Sequence, residues 1–127
     1  MSAVHVGVDI VEIPRIAQAV ERWGDRFLAR VYTPAELAFA RGRSAQLAAR
    51  FAAKEAVMKA LGTGIRGVRW RDVEVVRDGG RAPSIRLHGT ALARAKRLGI
   101  DSLSVSLSHS EHYAVAFVVG ESRLPNC

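Results

Sequence analysis

The segment Ser44 to Gly64 constrains the fold most, because it reads as a long helix with almost no side to give to water. With Phe51 as origin and about 100° per residue, Leu47, Met58 and Leu61 fall beside it as an aliphatic stripe. Ala49, Ala52, Ala53, Ala56 and Ala60 cover most of the opposite side. A surface helix would carry charges there, whereas alanines let another element or another subunit come close. The expected helix is capped by Ser44 and ends near Gly62-Thr63-Gly64.

Its few charges are Arg50, Lys54, Glu55 and Lys59. A charge on a largely buried helix needs a partner, a metal or a ligand. Lys54, Glu55 and Lys59 followed by Gly-Thr-Gly therefore read as the wall of a pocket. The plainer alternative is a single Glu55–Lys59 pair at i, i+4 spacing, with lysine stems lying along apolar surface.

The remaining pattern is α+β, an antiparallel sheet packed with this long central helix, in a single domain spanning residues 1–127. Residues 4–11 read as a strand, with Val4, Val6, Val8 and Ile10 on one face and His5, Gly7, Asp9 and Val11 on the other. Ile13 to Trp23 reads as a helix with Pro14 in its first turn and Gly24 at its end. A short turn of helix is expected at Asp25 to Val31. Thr33-Pro34-Ala35-Glu36 marks the start of another, running to about Arg41. Trp70 to Arg77 and Ser84 to Leu87 read as strands around Asp78-Gly79-Gly80, and Thr90 to Leu98 as a helix closed by Gly99. Leu103 to Ser108 and Tyr113 to Val119 read as two strands joined by His109-Ser110-Glu111-His112. Ser104, Ser106 and Ser108 share one face, better read as the wet side of a sheet than as a hydroxyl-lined groove.

Asp9 stands in an otherwise apolar strand, on the face that also carries Gly7, where a missing side chain permits close approach. It could cap the following helix. Alternatively, Asp9 and Glu55 could share Mg²⁺, which takes a few carboxylates, several waters and phosphate oxygens. Zinc-type Cys/His spacing, a Walker loop and a GxGxxG followed by an acidic residue are all missing from the sequence. The formal net charge is +7 and mostly arginine, with lysine at 54, 59 and 96 alone. That balance points to an anionic partner. A basic nucleic-acid-binding module is the competing class, but aromatic residues are only 6% and no recognition motif appears. No apolar run reaches the roughly 18–20 residues that span a bilayer, and Met1 to His5 lacks a signal-peptide pattern. The lone cysteine, Cys127, cannot form an internal disulfide, so a reducing cytoplasm is expected, with neither membrane nor nucleic acid as partner.

Three segments carry a resemblance to a known family. They are Gly7-Val8-Asp9-Ile10-Val11-Glu12-Ile13-Pro14-Arg15-Ile16, the run from Arg50 through Phe51-Ala52-Ala53-Lys54-Glu55-Ala56-Val57-Met58-Lys59-Ala60-Leu61 to Gly62-Thr63-Gly64, and Val105-Ser106-Leu107-Ser108-His109. The chain resembles the holo-acyl-carrier-protein synthases, the small bacterial type of 4′-phosphopantetheinyl transferase. The resemblance implies transfer of 4′-phosphopantetheine from coenzyme A to a serine of an apo acyl carrier protein, releasing adenosine 3′,5′-bisphosphate and supporting fatty acid biosynthesis. It implies Asp9 and Glu55 as magnesium ligands and Lys59 at the diphosphate. Arg50, Lys54, Gly62 and His109 would contact coenzyme A, and Arg15, Arg22 and Arg26 would dock an acidic carrier. Larger relatives carry a further acidic ligand where this chain has Val11, so water would fill that position. The resemblance also implies a homotrimer with active sites between subunits.

Overall fold

Small residues decide how closely the long helix can lie on the sheet. The computed structural model describes residues 2–123, so Cys127 lies outside the described residues. Strand β1 (Ser2–Glu12) runs directly into helix α1 (Ile13–Trp23), followed by α2 (Asp25–Val31) and α3 (Pro34–Ala40). The long helix α4 (Ser44–Ala60) comes next, then β2 (Val73–Val76), β3 (Ser84–Leu87) and α5 (Gly89–Leu98). Strands β4 (Ile100–His109) and β5 (Tyr113–Arg123) close the described chain. The main sheet is antiparallel with order β1-β5-β4, and β2 pairs with β3 as a separate ribbon. This is the expected α+β architecture.

Helix α4 packs on one face of the main sheet. Ala52, Ala53 and Ala56 are fully buried, in the same core as Ala116 and Val118 of β5. Gly7 supplies the closest approach: a Cβ there would stand 1.8 Å from the carbonyl oxygen of Ala56. The helix presses on β1 where the strand has no side chain, and Asp9 follows two residues later on the same face. Eleven residues of α4 are buried, and Lys59 is its one exposed residue, so the expectation of a helix nearly without a solvent face holds.

The opposite face of β1 inverts the usual pattern. Val4, Val6, Val8 and Ile10 are 52–64% exposed, and the register sets Val8 beside Phe117 of β5, itself exposed. The apolar column faces outward and the mixed column of His5, Gly7, Asp9 and Val11 faces the helix. Ser104, Ser106 and Ser108 extend the outer face on β4, as a wet serine surface.

Two local expectations need correction. The helix cap at α4 is Arg43, not Ser44, and no side chain caps it. Arg43 instead turns back to bond the carbonyls of Ala40 and Phe39, tying the corner between α3 and α4. The strand expected from Trp70 begins only at Val73, after a 3-10 turn at Trp70–Asp72. The cause is buried: the Lys54 ammonium takes the carbonyls of both Trp70 and Val73, which curls the chain around it. Thr33, by contrast, caps α3 as expected, in a reciprocal box with Glu36.

Candidate active site

β1 and α4 bring Asp9, Glu55 and Lys59 together. Lys59 Nζ donates to Asp9 Oδ1 at 3.1 Å and to the Val8 carbonyl at 2.9 Å. The i, i+4 pairing of Glu55 with Lys59 does not form; the lysine reaches across to the strand instead. Nor does Asp9 cap α1, whose cap residue is Glu12 with no side-chain bond. Asp9 Oδ2 is buried and has no hydrogen-bond partner. Burial, and then the neighbouring Asp9 carboxylate, pushes the Glu55 carboxyl up to about 7, while Lys59 and Arg15 pull the other way. Two adjacent carboxylates, one with an orphaned buried oxygen, make an electrostatic hole that fits a hard cation. Among the described residues no third acidic, histidine or cysteine side chain joins them, so any further ligands would be water or substrate oxygen.

This pair opens into a cavity of about 480 Å³. Arg15 lies on its rim, and Ile16, Ala19, Phe27 and Phe51 form an apolar wall. Phe51 stacks at 4.8 Å on Trp70, so the ring wall is backed by the segment that Lys54 holds. Phe27, Trp70 and Tyr113 were missed as parts of this region. Their only sequence signal is aromatic character, which an ordinary core shares.

The other nominated residues separate. Lys54 does not reach the cavity. It is fully buried, with Nζ 2.8 Å from Glu36 Oε1 and bonded to two backbone carbonyls. All three of its donors are engaged, so its assignment to coenzyme A is corrected: it is a structural cation. Burial lowers its affinity for a proton and Glu36 raises it again. Glu36, read from sequence only as part of a helix start, is thus the missed partner. Its other oxygen accepts the Val75 amide.

Arg50 is also buried, on a different side of α4. It stacks over Phe39 at 4.2 Å and bonds Gln46, its Nε is buried without a partner, and the residue lines a separate pocket of about 230 Å³. His109 is exposed at the end of β4, two strands from β1 and thus roughly 10 Å across the sheet from the carboxylates. Gly62 ends α4 at φ 73°. Arg15 and Arg22 on α1 and Arg26 on α2 are all exposed, with Arg22 stacked over Trp23 at 5.0 Å.

The profile of the 4′-phosphopantetheinyl transferase superfamily matches residues 5–118. The chain belongs to that superfamily. Within it, the chain is 53% identical over 119 residues to the holo-[acyl-carrier-protein] synthase of Koribacter versatilis, covering 91% of this chain and 95% of the relative. It is 54% identical over 121 residues to the same enzyme from Herpetosiphon aurantiacus, covering 90% and 95%. The solved structure of Helicobacter pylori holo-[acyl-carrier-protein] synthase in complex with coenzyme A superposes with a TM-score of 0.83 at 36% identity, covering 91% of this chain and 98% of that one. This phosphopantetheinyl transferase fold therefore keeps its long helix against its sheet, with Asp9 and Glu55 at their junction.

Proposed function

We propose that this chain is a holo-[acyl-carrier-protein] synthase that transfers 4′-phosphopantetheine from coenzyme A to a serine of an apo acyl carrier protein. The observation that carries this reading is the Asp9–Glu55 pair, with its orphaned buried oxygen, beside the exposed ammonium of Lys59. Asp9 and Glu55 would hold Mg²⁺, which supplies neutralisation of charge on a diphosphate. Lys59 is 53% exposed and bonded only to β1 groups, so it is free to turn its donors to a phosphate oxygen. The serine oxygen forms a bond to the phosphorus that carries pantetheine, and the bond from that phosphorus to adenosine 3′,5′-bisphosphate breaks. The hydroxyl proton passes to the carboxylate pair or to water beside it.

Arg15, Arg22 and Arg26 offer a basic surface to an acidic carrier, which favours fast encounter. Carriers of fatty acid biosynthesis fit that description. The outward column of Val4, Val6, Val8 and Ile10 with Phe117 supports association of copies, since exposed apolar patches mark interaction surfaces. A homotrimer would let Arg50 and His109, distant from Asp9 within one copy, serve a neighbour's site. No helix among the described residues is long and apolar enough to cross a membrane.

The test is mass spectrometry of a panel of apo carriers incubated with coenzyme A, with and without Mg²⁺. Mass gain by phosphopantetheine only with the metal is expected. No modified carrier under either condition would sink the reading.

A further inference from the structure

Glu55 and Lys59 sit at i and i+4 on α4, which ends at Ala60, and Gly62 follows its cap residue Leu61. Beyond Gly62 the chain turns through Thr63 and Gly64, with both glycines at positive φ, 73° and 58°. Neither glycine adds a side chain of its own to the turn, so a ligand could meet backbone at those two positions. A helix C-terminus is a poor place for an anion, because its carbonyls carry partial negative charge. Here four carbonyls at this end are occupied. Val57 O accepts from the Leu61 amide, Lys59 O from Gly62 and Met58 O from Thr63. Leu61 O accepts from Arg94 Nε of α5 at 2.9 Å.

That last bond sets a cation over the turn. Arg94 Nη2 lies 3.6 Å from where a Cβ on Gly62 would stand. The side chain is half-buried and held by its Nε, while its terminal nitrogens make no other hydrogen bond among the described residues. No carboxylate of the described residues comes within 4.0 Å of it. A guanidinium anchored by one edge, with its fork left over, is the arrangement that receives two oxygens of a phosphate.

We propose that Arg94 is a substrate-binding residue whose Nη groups donate to a phosphate at the nucleotide end of coenzyme A, against the Gly62–Gly64 turn. The proposal rests on the transferase reading above and deepens it. It makes the turn attractive to an anion from the α5 side, as Lys59 does from the β1 side.

The test uses the full chain and three variants, Arg94→Gln, Arg94→Lys and Arg94→Leu. Glutamine retains an amide able to donate to Leu61 O but loses the charge, so it separates phosphate binding from tying the helix end. For Arg94→Gln the KM for coenzyme A is expected to rise about tenfold, the worth of one charge-assisted bond, with the carrier KM and kcat within about twofold of the parent. Calorimetric titration with adenosine 3′,5′-bisphosphate should weaken by a similar factor, Arg94→Lys should fall between, and Arg94→Leu should weaken most. Unchanged coenzyme A KM and bisphosphate affinity in Arg94→Gln overturn the proposal, whatever happens to its melting temperature. So does an equal rise in the carrier KM. A parent chain that binds bisphosphate but modifies no carrier counts against the transferase reading instead, and the titrations still decide the role of Arg94.

Discussion

Lys54 and Lys59 stand five residues apart on one helix and have opposite fates. The side chain of Lys54 is 0% exposed, and its partner Glu36 is equally closed to water. Lys59 is 53% exposed, and its partner Asp9 keeps one carboxylate oxygen unbonded. The first pair joins α3, α4 and the segment before β2 into one piece, using every donor it has. The second leaves one donor and one acceptor over, beside Glu55. Saturation suits a structural role, and incompleteness suits the chemical role proposed for the second pair.

The largest expected effect comes from breaking the saturated pair. Lys54→Met strands the Glu36 carboxylate among buried groups, and loss of about 3–5 kcal/mol of folding stability is expected, read by denaturant unfolding. Adding Glu36→Gln to it should recover part of that loss. If Lys54→Met instead unfolds like the parent but raises the KM for coenzyme A, the division between the two lysines fails.

Next comes the incomplete pair. Glu55→Gln should lower kcat by about 10²–10³, as removal of a charge-stabilising group does, with stability unchanged or slightly improved because the repulsion with Asp9 is relieved. Lys59→Gln should cost less, about 10–10² in kcat/KM, again with stability within about 0.5 kcal/mol of the parent. Retained full activity in Glu55→Gln would remove it from the site.

The smallest effect concerns pH on the buried side. Burial acts to raise the Glu74 carboxyl, but hydrogen bonds from Thr33 and His88 and the charge of His88 win and hold it below the usual carboxylate range. A carboxyl lowered in the folded state adds stability above its unfolded value, about 4.3, and loses it as pH falls through the folded one. Thermal midpoints should therefore decline on acidification, and Glu74→Gln should flatten that acid limb slightly.

Much of this was legible in the chain, and the remainder was hidden for one reason. Periodicity and capping act within a few residues, so α1, α3, α5 and the helix start at Thr33 could be read directly. The alanines of α4 and the bare position at Gly7 announced a close contact, and the two meet at Ala56. Glu36 and Lys54 are 18 positions apart in sequence and meet only because α3 folds back on α4. No local pattern carries that, so Lys54 was assigned to substrate. The same gap hid the 3-10 turn at Trp70, which Lys54 imposes, and the position of Arg94 over Gly62. Alternation showed the two faces of β1, but not that the valines would be the outer one.

The Gly7 contact has a consequence for redesign. Because the strand meets the helix backbone with nothing between, the gap between the Asp9 and Glu55 anchor points is set by main chain rather than by rotamer choice. Residue 7 then works like the fixed jaw of a caliper. Anyone wishing to change the spacing of the two carboxylates would do better to adjust the width at that position, and let α4 lift, than to exchange the carboxylates themselves.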